Sequence, residues 1–131
     1  MDSGARSAIR RGRALGPVLL AVAGLLAFAS GTARAAPSTC AGHQVRSLSF
    51  ASGVTRVYRH GDYVCAMTFA RRPGTVRTMS VSVQARGSRP ARDSGRYVHH
   101  AGPVTVHAGH RCVLIRGAVG HSSVSSGWIL C

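Results

Sequence analysis

The chain contains no lysine and no glutamate, and beyond position 35 its only side-chain carboxylates are Asp62 and Asp93. Most hydrolytic active sites are assembled from acidic side chains, so this shortage removes their usual raw material. A glycosidase pair would have to be Asp62 with Asp93. Each lies beside a glycine-containing turn sequence, His60-Gly61-Asp62 and Asp93-Ser94-Gly95, where the expected role is turn formation. A serine triad lacks its acid for the same reason, and Gly120-His121-Ser122-Ser123 does not supply the closing glycine of a nucleophile elbow. No cofactor is implied, and the expectation is a protein that is not an enzyme.

Aromatic residues are also scarce, with one Trp, three Tyr and three Phe. Little surface is left for base stacking and no recognition helix is evident, which disfavours nucleic acid as a partner. Trp128, in Gly127-Trp128-Ile129-Leu130-Cys131, is expected to pack in a core rather than to serve as a sugar platform. No close Cys-x-x-Cys pair exists to build a zinc site. The seven histidines are expected to be surface groups that add charge in acid, because strand alternation gives His107 and His110 no reason to converge with a third metal ligand.

What is present begins with a leader. Arg6, Arg10, Arg11 and Arg13 precede an apolar run over residues 18–29, and Ala33-Arg34-Ala35 supplies the small residues a signal peptidase requires. This order predicts a secretory signal peptide over residues 1–35, cleavage after Ala35 and a single domain over residues 36–131. The apolar run is too short to span a bilayer comfortably, so no integral membrane segment is expected after cleavage. Arg10-Arg11 lacks the strongly apolar residues that follow a twin-arginine pair, which leaves general secretion as the expected route.

Cys40, Cys65, Cys112 and Cys131 form an even set bound for an oxidising compartment, and two disulfides are expected. Three pairings are open. Cys40 with Cys65 and Cys112 with Cys131 is favoured because each pair joins near neighbours in the chain. A lipid anchor on Cys40 is disfavoured, since it would leave an odd number of thiols and Pro37-Ser38-Thr39 is a poor approach to such a site. The bridges are physically needed. A domain of this size buries only about 60–65% of its unfolded surface, and each bridge adds on the order of 3 kcal/mol by restricting the unfolded chain.

No stretch beyond the leader keeps a helical period; short β-compatible runs follow one another instead. Over residues 76–86, Met79, Val81, Val83 and Ala85 alternate with Thr78, Ser80, Ser82, Gln84 and Arg86, one face for a core and one for water. Tyr63, Cys65, Met67 and Phe69 share one face of a preceding strand, and Arg71-Arg72-Pro73-Gly74 suits a type II turn joining the two as a hairpin. Further strands are expected at 45–50, 54–59, 97–100, 103–108, 111–116 and 126–131, with 87–95 as the longest loop. The fold class is all-β, a small antiparallel β-sandwich or barrel of about eight short strands with two disulfides.

Asp93-Ser94-Gly95-Arg96-Tyr97, followed by Ala101-Gly102-Pro103-Val104-Thr105-Val106-His107-Ala108, Cys112 and Cys131, resembles the spore-associated protein A group of small secreted streptomycete proteins. Tyr63-Val64-Cys65 and Met79-Ser80 are similar to matching parts of that group, so the likeness runs from about Cys40 to Cys131. The resemblance implies a secreted protein recovered with spores or the aerial cell surface, with no established catalytic residues. The chain departs from the group in its arginine load and in Val113-Leu114-Ile115-Arg116, which puts any shared ligand in doubt.

Arginine is the abundant charged residue, twelve of them beyond position 35. GC-rich coding accounts for arginine in place of lysine. It does not account for the missing carboxylates, whose codons are GC-permissive. The excess positive charge points to an anionic cell-wall or spore-surface polymer as partner, and so to a protein of the extracellular or spore envelope. Arg86, Arg89, Arg92 and Arg96 cluster around the 87–95 segment, and their planar forks suit bidentate contacts with phosphate or carboxylate. The competing account is that these are ordinary solvated charges. Two other functions are compatible with the chain. One is a secreted protease inhibitor presenting Arg71-Arg72-Pro73 to a trypsin-like pocket, and the other is a cationic antimicrobial protein.

Overall fold

In β4 (Arg77–Ala85) every second side chain, Met79, Val81, Val83 and Ala85, is buried, as the alternation predicts. The computed structural model describes residues 38–131, and the expected leader and its cleavage site lie outside the described residues. The other strands are β1 (His43–Phe50), β2 (Gly53–His60), β3 (Tyr63–Ala70), β5 (Ala91–Tyr97), β6 (His100–His107), β7 (Val113–Val119) and β8 (Ser122–Ile129). They form two antiparallel four-stranded sheets, in the orders β1-β2-β3-β6 and β5-β4-β7-β8. The fold is thus an all-β sandwich. Among the described residues no helix is long and apolar enough to cross a membrane.

Between the sheets, Val57, Val64 and Ala66 meet Val81, Val83, Ile115 and Val119, while Phe50 and Tyr97 lie at the margin. This core is built from methyl groups, the consequence of so few aromatics. It holds one polar pair: the fully buried Thr55 and Thr68 hydroxyls hydrogen-bond to each other at 2.8 Å. Gly117 on the facing sheet makes room for them, since a Cβ there would overlap both hydroxyl oxygens.

Both disulfides join the chain neighbours, Cys40 to Cys65 and Cys112 to Cys131, with Cα separations of 5.7 and 4.0 Å. The first fastens the segment before β1 onto β3. The second ties the start of β7 to the end of the chain.

Three strand-level expectations are corrected. β3 and β4 do not form a hairpin, because Arg71-Arg72-Pro73-Gly74 carries the chain from one sheet to the other and β4 instead pairs with β5 and β7. Gly74 takes the positive φ of 114° that the turn requires, but the crossover is held by hydrogen bonds from Ala70 N to His99 O and Gly74 N to Val98 O. The 87–95 segment is not one long loop, since β5 occupies Ala91–Tyr97; the expected strand at 97–100 falls on the junction before β6. Finally, β7 and β8 are offset from the expected 111–116 and 126–131, because the tight turn at Gly120-His121 lets β7 run to Val119 and β8 begin at Ser122.

Tyr63, Cys65, Met67 and Phe69 do share a face of β3. That face turns away from the inter-sheet core, which receives Val64 and Ala66 with Thr68 beside them, yet Cys65 and Met67 on it are buried as well.

Candidate anion-binding face

The sheet β5-β4-β7-β8 presents its polar side outward, and its pairing register decides which polar groups meet. Ser82 of β4 lies opposite Arg92 of β5 on one side and Arg116 of β7 on the other, and Arg116 lies opposite Ser125 of β8. One row across the sheet therefore reads Arg92, Ser82, Arg116, Ser125. The next row reads Ser94, Ser80, Ala118, Ser123. All of these except Ser94 line a shallow groove of ≈ 390 Å³, together with Gln84, Pro90, Leu114, Gly117 and Val124.

Two strand spacings separate Arg92 from Arg116, about 10 Å at the backbone. Two unit charges at that distance repel by about 0.4 kcal/mol in water and by about 1.7 kcal/mol at the effective dielectric of a protein surface. The pair is thus tolerated without a ligand and gains on meeting an anion. Its guanidiniums make no hydrogen bond or ion pair among the described residues, so their forks are free to donate.

No carboxylate lines this face. Asp93 is not a turn residue: it lies inside β5 and points between the sheets. One oxygen accepts the Tyr97 hydroxyl hydrogen at 2.5 Å and the other accepts the Gly102 N–H at 2.7 Å, joining β5 to β6 of the opposite sheet. Hydrogen bonding to Asp93, then burial, then the carboxylate's charge raise the Tyr97 pKa above the ordinary tyrosine value. Asp62 sits in the β2–β3 turn, 3.9 Å from His107 Nε2, with both groups exposed. Among the described residues no arginine forms an ion pair.

Arg59 and Arg111 serve the fold at the end of the sandwich where β2 meets β3. Arg59 donates to the carbonyls of Gly61 and Gly109, and Arg111 donates to those of His107 and Ala108 and to the Ser88 hydroxyl, so each gathers connections at one end of the sandwich. Both turn their charge toward carbonyl oxygens, which satisfies the loops without adding a counter-charge.

The four arginines singled out in the sequence are distributed unevenly. Arg92 lines the groove. Arg96 is exposed on the same face of β5, opposite Thr78, about 13 Å along the strand from Arg92. Arg86 leaves the end of β4 with its guanidinium 5.2 Å from the centroid of the Trp128 ring. Arg89 is exposed in the connection before β5 and lies outside the groove lining. Trp128 is a correction: it is 41% exposed and does not join the core, because its position in β8 opposite Leu114 places it on the outer face.

Sequence reasoning missed Arg116 and the serine floor. Their juxtaposition with Arg92 depends on β4 standing between β5 and β7, a non-sequential pairing that no local pattern reports.

The groove lining includes no histidine, carboxylate or thiol, and all four cysteines are paired in disulfides. Its polar groups are serine hydroxyls, the Gln84 amide and two guanidiniums, set among Pro90, Leu114, Ala118 and Val124. That chemistry suits an oxyanion. No family model, curated protein or solved structure matches the chain.

Proposed function

We propose that this is a non-catalytic secreted protein of the extracellular or spore envelope that adheres to anionic surface polymers. The observation that carries the reading is the row Arg92, Ser82, Arg116, Ser125 on a face with no carboxylate. Two planar forks flanking a hydroxyl match the phosphate or carboxylate groups of a wall teichoic acid or an acidic polysaccharide. Two disulfides in a domain with no free thiol are compatible with an extracellular setting. The likeness to the spore-associated protein A group supports the spore or aerial surface as the place of action, and the leader supports export.

The test is retention of the oxidised protein on immobilised poly(glycerol phosphate). The parent is retained at low ionic strength. An Arg92→Ala/Arg116→Ala variant is expected to bind at least about tenfold more weakly, since each charge-assisted contact contributes roughly 1.5–3 kcal/mol before compensation by neighbouring charges. Equal retention of parent and variant removes the groove from the proposal.

A further inference from the structure

A second cationic hollow lies at one end of the sandwich, where three connections meet. The β1–β2 turn contributes Ala51 and Ser52, the β3–β4 crossover contributes Arg71 and Arg72 with Arg77 at the start of β4, and the β7–β8 turn contributes Gly120 and His121. The hollow is ≈ 660 Å³ and shares no lining residue with the groove on the sheet face.

Its walls are tied together. Ser52 N donates to Ser122 Oγ at 3.1 Å, Arg71 N donates to Ser52 O at 2.9 Å, and Gly120 N donates to Thr78 O at 2.8 Å. Arg71 also donates through Nη2 to Phe50 O at 2.8 Å, which fixes the base of its guanidinium at the rim. Arg72 and Arg77 have no side-chain hydrogen bond or ion pair among the described residues. No carboxylate lines the hollow: Asp62 belongs to the turn at the opposite end of β2, and Asp93 lies within β5. A hollow with fixed walls and two free guanidiniums is preorganised for an oxyanion, because little side-chain framework has to be ordered when the ligand arrives.

We infer that this hollow is a second, independent oxyanion site, and that the protein is therefore bivalent and bridges phosphate-bearing polymer chains rather than merely coating them. The inference rests on the adhesion reading above. One site faces outward from a sheet and the other opens at an end of the sandwich, so two polymer segments can be held without competing for a residue. Multivalent engagement raises retention on a polymer well beyond that of either site alone.

Calorimetric titration with tripolyphosphate, a probe that carries several charges yet is short, counts the sites. The parent is expected to take up about two anions per chain, and both Arg72→Ala/Arg77→Ala and Arg92→Ala/Arg116→Ala are expected to take up about one. With long-chain polyphosphate, the parent should produce turbidity that redissolves in salt, and either double variant should bind without turbidity. Uptake of one anion by the parent, unchanged in Arg72→Ala/Arg77→Ala, overturns the second site while leaving adhesion intact. Absence of any uptake overturns the adhesion reading as well. Arginine Nε–Hε resonances of the parent provide a readout that needs no variant: those of Arg72 and Arg77 are expected to shift on titration, and fixed resonances contradict the inference.

Discussion

Thr55 and Thr68 place two hydroxyls in a core otherwise lined by methyl groups, and each satisfies the other. Replacing Thr55 alone by Val leaves the Thr68 hydroxyl buried without a partner, an expected loss of about 1–3 kcal/mol. The Thr55→Val/Thr68→Val variant removes both groups and is expected to be near neutral. Urea unfolding of the two single variants and the double checks this, and additive losses would refute the pairing. Gly117→Ala should be costly for a related reason, because its Cβ meets both hydroxyls; about 1–3 kcal/mol is expected from overpacking. Tyr97 sets an alkaline limit. Its ionisation would remove the hydrogen donated to Asp93 and set a phenolate against the carboxylate, which is why its pKa is raised. The stability due to this contact is complete below the unfolded tyrosine value of about 10 and is lost as pH rises through the raised folded value. Unfolding curves of the parent and Tyr97→Phe should converge above about pH 10; parallel curves would contradict the linkage.

At the level of strands, legibility followed hydrophobic contrast. β4 was readable because Met79, Val81 and Val83 alternate with Thr78, Ser80 and Ser82, and burial follows that alternation. β5 is not, because its inward positions are Ala91, Asp93, Gly95 and Tyr97, too mixed to stand out as an apolar face until the hydrogen bonds of Asp93 are known. Gly95 has its own packing reason, since a Cβ there would lie 3.0 Å from the Tyr97 ring. The hairpin expected at Pro73-Gly74 failed because turn chemistry specifies a change of direction, not which sheet receives the next strand. For the candidate site, Arg92 was legible as part of a local cluster, whereas Arg116 required the β4–β7 register. Chain proximity favours the disulfide pairing that the structure has, and the two bridges have different tasks. The Cys112–Cys131 bridge anchors the end of edge strand β8. Replacing both cysteines by Ser is expected to cost roughly 2–5 kcal/mol, with amide exchange accelerating first in β8. Unchanged β8 protection would refute that assignment.

For the whole molecule, the decisive quantity is charge without internal compensation. Twelve arginines beyond position 35 face two aspartates, and those aspartates are directed to Tyr97, Gly102 and the neighbourhood of His107. A rigid cross-linked sandwich keeps the arginines at set spacings, so the domain offers arrayed cationic sites on a face and at an end. Such a molecule should be sensitive to ionic strength in its binding far more than in its folding, because the core is largely apolar and no arginine belongs to it. The Debye length contracts from about 10 Å at 0.1 M salt to about 3 Å at 1 M, which shortens the reach of each guanidinium below the spacing between them. The most direct measurement is therefore the affinity of the oxidised protein for poly(glycerol phosphate) as a function of salt. The account predicts firm binding at low ionic strength that falls steeply with added salt and is lost near about 1 M while the fold stays intact. Binding that ignores salt, or no binding at low ionic strength, would contradict it.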